Sequence, residues 1–168
     1  MRILFTLILL FSAINLQAKD VEVFDVELDP VTSDRVILTV RGGEKETAYS
    51  LAQVEAIGLK GLKTSTFWPE DYGEYNGVLL RDFLRHAGID KASQIRVTAL
   101  DDYTALIPRE DWQKWDVLLA TRHERKVLPV RKKGPLRIIY PKDIGGEIAA
   151  SDMRIRWIWA ITTIEAIQ

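Results

Sequence analysis

No cysteine occurs among the 168 residues. Disulfides, thiolate metal sites, a cysteine nucleophile and any cofactor bonded through sulfur are therefore excluded. Histidine is scarce, at 2 residues, which excludes a histidine-rich metal cage. Neither sign of charge dominates: 23 Lys plus Arg face 24 Asp plus Glu, for a net charge of −1. A protein that coats nucleic acid needs a strong basic excess, so that class is excluded as well. What remains is an ordinary globular mixture, 47% hydrophobic and 28% charged, of a length that suits one domain.

The N-terminus reads as an address. Arg2 supplies a positive charge, Ile3 to Ile14 is apolar except for Thr6 and Ser12, and Ala18 ends the segment before Lys19-Asp20. This is the order of a secretory signal peptide, residues 1–18, with cleavage expected after Ala18. The apolar run falls short of the roughly 20 residues of a spanning helix. An uncleaved anchor is the other reading, since Leu16 stands where a small residue is preferred. No twin-arginine pair precedes the run, so export in the unfolded state is expected, and a periplasmic location in a bacterium. A cofactor inserted in the cytoplasm would not survive that passage. Residues 19–168 are then a single domain.

Local patterns predict many strands and few, short helices. Val21, Val23, Val26 and Leu28 suggest a first strand, and the β-branched run Arg35 to Arg41 a second, closed by Gly42-Gly43. Ser50 and Gln53 have the spacing of a capping box, opening a helix to about Ile57. Leu62 to Phe67 reads as extended, and Trp68 to Gly77 as a loop rich in turn formers and aromatics. Leu79, Leu80, Phe83, Leu84 and Ala87 have helical spacing, ended by Gly88. Strands are expected over 94–100 and 103–108, around Asp101-Asp102, then a short helix from Arg109 to Trp115. Val117 to Thr121 and Lys126 to Val130 flank a polar turn, Leu136 to Tyr140 reads as buried, and Arg154 to Ile164 reads as a long final strand. The class is α+β, one mixed domain.

Several of these stretches occur in an informative order: Thr64 to Trp68, Tyr75 to Leu84, Ala99 to Tyr103 through Ile107-Pro108, Val127 to Arg131, Gly134 to Pro141, and Arg156-Trp157-Ile158. Together they resemble the sulfite-oxidase-type molybdopterin-binding family, over nearly all of residues 19–168. The resemblance implies a mostly β fold with short helices and a pterin-sized cleft at loop ends. It also implies a molybdenum-ligating cysteine in the segment that here reads Thr64-Ser65-Thr66, with Ser65 taken as the position of the missing ligand. A serine hydroxyl is a harder and far less acidic donor than a thiolate. A molybdenum cofactor is therefore not expected, whereas a cleft for a free tetrahydropterin is. Small periplasmic proteins similar to this chain bind reduced pterins and signal to membrane-bound enzymes of cyclic-di-GMP metabolism. The resemblance thus implies, as partner, the periplasmic domain of such an enzyme, and no catalysis. A molybdopterin-dependent oxidoreductase is the alternative, and a pure interaction module with a vestigial cleft a third reading.

A pterin offers two flat faces and a guanidine-like edge. The faces call for aromatic side chains, and the edge for a carboxylate that accepts two parallel hydrogen bonds. Asp101 and Asp102 at a strand turn, followed by Tyr103, suit the edge, although Asp also favours plain turns. Trp68 and Tyr72 in their loop suit a face; a core aromatic is the other reading of Trp68. Arg131 and Arg137 match family positions near the pyranopterin phosphate, while Lys132 and Lys133 read as a solvated turn. Arg137, among Leu136, Ile138 and Ile139, is expected to be partly buried and paired. Arg154 and Arg156 are expected on one face of the final strand, with Ile155, Trp157 and Trp159 on the core side. His86 suits a helix C-terminus, His123 reads as solvated, and Glu70-Asp71 is discounted as a catalytic carboxylate pair.

Overall fold

A computed structural model describes residues 21–168. The signal peptide expected over 1–18 lies outside the described residues. In chain order the strands and helices are β1 (Val23–Asp25), β2 (Val36–Gly42), β3 (Lys45–Ser50), α1 (Leu51–Glu55), β4 (Lys60–Thr64), β5 (Gly73–Leu79), α2 (Leu80–Ala87), β6 (Gln94–Ala99), β7 (Thr104–Pro108), α3 (Arg109–Lys114), β8 (Leu118–His123), β9 (Lys126–Val127), β10 (Arg137–Ile139) and β11 (Ile161–Ile167). Short 3-10 turns fill Pro69–Asp71, Val130–Lys132 and most of 142–156.

Two sheets carry the fold. One has the order β1-β4-β5-β8-β10, all antiparallel, with β9 folded back on β8. The other has the order β3-β2-β11-β6-β7. There β11 runs parallel to β2 and antiparallel to β6. Leu38, Val97, Ile107, Ile161 and Ile164 from the second sheet join Leu62, Tyr75, Leu118 and Ile138 from the first in one buried core. Gly77 permits the close approach of β5 and β8. A Cβ there would stand 2.2 Å from the Leu119 carbonyl oxygen.

Local signals place the helices. Ser50 caps α1 through a complete capping box with Gln53. Gly88 ends α2 in the left-handed conformation, with Leu80, Phe83, Leu84 and Ala87 turned to the core. Glu55 of α1 lies within 2.6 Å of Arg122 in β8, and both side chains are buried.

Three expectations need correction. The first strand is only three residues long, Val23–Asp25. Glu74 to Gly77 belongs to β5 rather than to a loop, because these residues pair with β4 on one side and β8 on the other. The final strand starts only at Ile161, and Ser151–Arg156 is a 3-10 turn. Met153, Trp157 and Ile158 are buried there while Ile155 is 65% exposed. That spacing is helical, so the alternating reading puts Ile155 on the wrong side, and Arg154 and Arg156, expected on one face, are separated. Among the described residues no helix is long and apolar enough to cross a membrane.

Candidate functional site

At one end of the second sheet, the β6–β7 turn and the segment before β11 enclose a cleft of about 300 Å³. Trp68, Trp157 and Trp159 supply its aromatic walls, and Asp101, Tyr103 and Arg154 its polar rim. Trp68 and Trp159 meet edge to face with centroids 4.9 Å apart, and Phe67 meets Trp157 in the same way at 5.5 Å. These contacts fix the rings in place. The indole N–H of Trp157 is buried without a hydrogen-bond partner, an uncommon state. Asp101 accepts the Tyr103 amide at 3.3 Å, an Asx turn that leaves the carboxylate at the cleft. The Tyr103 hydroxyl donates to the Ile155 carbonyl at 3.0 Å and ties the two rims together.

A shallow hollow bearing Leu100, Val130 and Ala160 shares Asp101 and Trp159 with this cleft. It also shares Arg131 and Lys133 with a second, larger recess of about 660 Å³. That recess is cationic: Lys126, Arg131, Lys132, Lys133 and Arg137 line it, against Glu70, Asp71 and Glu124. At the junction of the two sites lies Asp71. Its Oδ2 accepts from Lys133 Nζ at 2.5 Å and from Arg137 Nη2 at 2.9 Å. Burial pushes the Asp71 carboxyl up, but its bonds and charge contacts with Lys133 and Arg137 outweigh burial and hold it below the usual carboxylate range. The Lys133 ammonium also lies 4.8 Å from the Trp68 ring centre and 5.3 Å from that of Trp159. Tyr75 completes the group by donating its hydroxyl to the Asp71 carbonyl at 2.7 Å. Its phenol is pushed up to about 12, chiefly by burial.

The wall segment, residues 142–156, is anchored at both ends. Near its start, Asp143 accepts the Ser65 amide at 2.9 Å and also the Ser65 hydroxyl, while its own amide donates to Thr64 Oγ1 at 3.3 Å. At its end, Arg156 Nη1 reaches both Asp111 oxygens at 2.8 and 2.9 Å, and the Tyr140 hydroxyl donates to Asp111 at 2.7 Å. Burial, and then the neighbouring Asp111, push the Tyr140 phenol well above its ordinary value. Arg154 and Ile155, which line the cleft, belong to this anchored stretch, and Trp157 follows it directly.

The structure thus brings together Trp68, Asp101, Tyr103 and Arg154 at the aromatic cleft, and Arg131 and Arg137 at the recess beside it. Arg137 is buried and paired, as its apolar neighbours imply. Asp102 lies at positive φ on the exposed turn and outside these walls. Tyr72 is exposed and holds Lys63 over its ring instead. Arg156 is turned inward to Asp111, not outward beside Arg154. Ser65 is engaged with Asp143. Lys133 is no free turn lysine, since two rings and a carboxylate hold it. His123 is not simply solvated: its ring stacks on Tyr75 at 4.6 Å, and its Nε2 is buried without a partner. Sequence reasoning missed Asp111 and set Asp71 aside with the discounted Glu70-Asp71 pair. The only signals for them were a buried-looking Arg137 in need of a counter-ion and an acid near the start of a short helix. Among the described residues no cluster of His, Asp and Glu has a metal-binding arrangement.

A family model described as the oxidoreductase molybdopterin binding domain matches residues 68–166. The solved sulfane dehydrogenase SoxCD from Paracoccus pantotrophus is similar in structure, with a TM-score of 0.58 and 17% identity over 84% of this chain. The match spans 40% of that longer chain, and likeness at this identity concerns the fold alone. No curated protein matches the sequence.

Proposed function

The chain belongs to the oxidoreductase molybdopterin-binding domain family, and on that premise we propose that it is a periplasmic pterin-binding protein without catalysis. In this reading it relays pterin status to the periplasmic domain of a membrane-bound cyclic-di-GMP enzyme. The observation that carries the proposal is the combination of an aromatic cleft with a chain that has no thiolate. Trp68 and Trp159 offer aromatic walls for a bicyclic ring, with Trp157 buried behind them, and Asp101 offers a carboxylate to its guanidine-like edge. The organic part of a molybdopterin suits these groups. Its metal does not, because the chain has no cysteine and the Ser65 hydroxyl is committed to Asp143.

Binding is mechanical here: the side chains hold and orient the ring and exclude water, and no bond is made or broken. Stacking on tryptophan predicts saturable quenching of indole fluorescence when a tetrahydropterin is titrated in. Replacing Asp101 with Asn removes one of two charge-assisted acceptors and should weaken binding roughly 10- to 150-fold, from the roughly 1.5–3 kcal/mol of such a bond. Absence of saturable binding at millimolar ligand would end the proposal. The family description favours a second reading, an oxidoreductase that uses molybdopterin without a thiolate. Stoichiometric molybdenum in protein purified from its native compartment would select that reading instead.

A further inference from the structure

Pterins differ in what their bicycle carries: an uncharged hydroxylated side chain, or one that ends in phosphate. The junction beside the tryptophan walls offers the two different surroundings. Its cations are Lys133 and Arg137, and both are spent internally. Arg137 has a side chain only 3% exposed; its Nη2 is bound to Asp71, and its Nη1 lies 3.4 Å from the Tyr75 hydroxyl. Lys133 shares the same Asp71 oxygen and lies over two indole rings. Glu70, 3.9 Å from Lys133, brings a second negative charge. Two cations against two carboxylates balance at the junction itself, and the other charged groups of the recess are Lys126, Arg131 and Lys132 against Glu124. The Asp71 carboxylate is held by Lys133 and Arg137, and its backbone by the Trp68 carbonyl, which its amide reaches at 2.9 Å, and by the Tyr75 hydroxyl. Arg131 and Lys132, the next cations along, are exposed, where water and salt weaken their pull.

A phosphate brought to this junction meets a fixed carboxylate in a partly buried setting, where like charges repel far more than in water. An uncharged side chain meets a satisfied network. We propose that Asp71 is a specificity-determining residue which, by holding Lys133 and Arg137 as its own counter-ions, restricts the cleft to pterins with uncharged side chains. The inference rests on the pterin-binding reading above.

Calorimetric titration of the full chain with tetrahydrobiopterin and with tetrahydroneopterin monophosphate tests it. The wild type is expected to bind the uncharged compound at least tenfold more tightly. Asp71→Asn should bring the ratio to unity or reverse it, and Lys133→Gln should widen it, because a cation is lost while Asp71 stays. If Asp71→Asn does not fold, the wild-type ratio and Lys133→Gln decide. Equal or tighter binding of the phosphate compound by the wild type overturns the inference and leaves the pterin reading standing. Equal weakening of both ligands by Asp71→Asn reduces the residue to a structural one and also overturns it. Binding of neither compound ends the pterin reading itself, and this inference with it.

Discussion

Replacing Asp111 with asparagine tests whether the wall of the cleft is held by charge. Asp111 is 2% exposed and accepts two bonds from Arg156 and one from Tyr140. Asparagine keeps the shape but loses the charge, and its amide nitrogen cannot accept. At least one bond is lost, and a guanidinium is left facing an amide. Removing one partner of a buried pair costs about 3–5 kcal/mol. The Arg156 side chain is 30% exposed and regains some water, so the lower end applies, about 3 kcal/mol. With a urea slope of about 2 kcal/mol/M, the unfolding midpoint should fall by roughly 1.5 M. Tryptophan fluorescence is the readout, since Trp157 packs against Tyr140 at 5.6 Å. Lys114→Gln is the control. It breaks an ion pair with Glu147 in which both side chains are more than half exposed, and should cost under about 0.5 kcal/mol. If Asp111→Asn unfolds at the same urea concentration as the control, the charged anchor is not what holds the segment, and the reasoning is wrong. Combining Asp111→Asn with Arg156→Gln should cost less than the two singly, because one interaction is being removed twice.

Two further outcomes concern the scaffold. Gly77→Ala would place a Cβ 2.2 Å from the Leu119 carbonyl oxygen and 2.6 Å from the Ala120 Cα, both backbone atoms of the neighbouring strand. Overpacking of this kind should cost about 3 kcal/mol, or roughly 10 °C in melting temperature by calorimetry. Asp71, held below its ordinary value, stabilises the fold fully above the unfolded carboxyl pKa of about 3.9 and loses that contribution as pH falls further. Unfolding midpoints from pH 5 to pH 2 should therefore drop more steeply for the wild type than for Asp71→Asn. Parallel curves would show that the carboxylate is not engaged as described.

Features set by neighbouring residues were legible. The Ser50–Gln53 capping box, the left-handed Gly88 and the Asp101-Asp102 turn each depend on groups within a few positions. The apolar spacing of α2 likewise announces which face is buried. The long final strand failed for the opposite reason. Met153, Trp157 and Ile158 share a burial pattern that alternation does not describe, and the end of that segment is held by Asp111, 45 positions before Arg156.

The amino-acid sequence by itself determined the family, the mostly β character and the absence of any sulfur ligand, because these are matters of composition and of short-range order. Only the tertiary structure decided which acids matter. Asp71 reaches cations 62 and 66 positions away, and Asp102, read as an equal of Asp101, is not among the residues that line the cleft. Charge pairing acts through space, and no local pattern records which distant cation a carboxylate will meet once the sheets have closed.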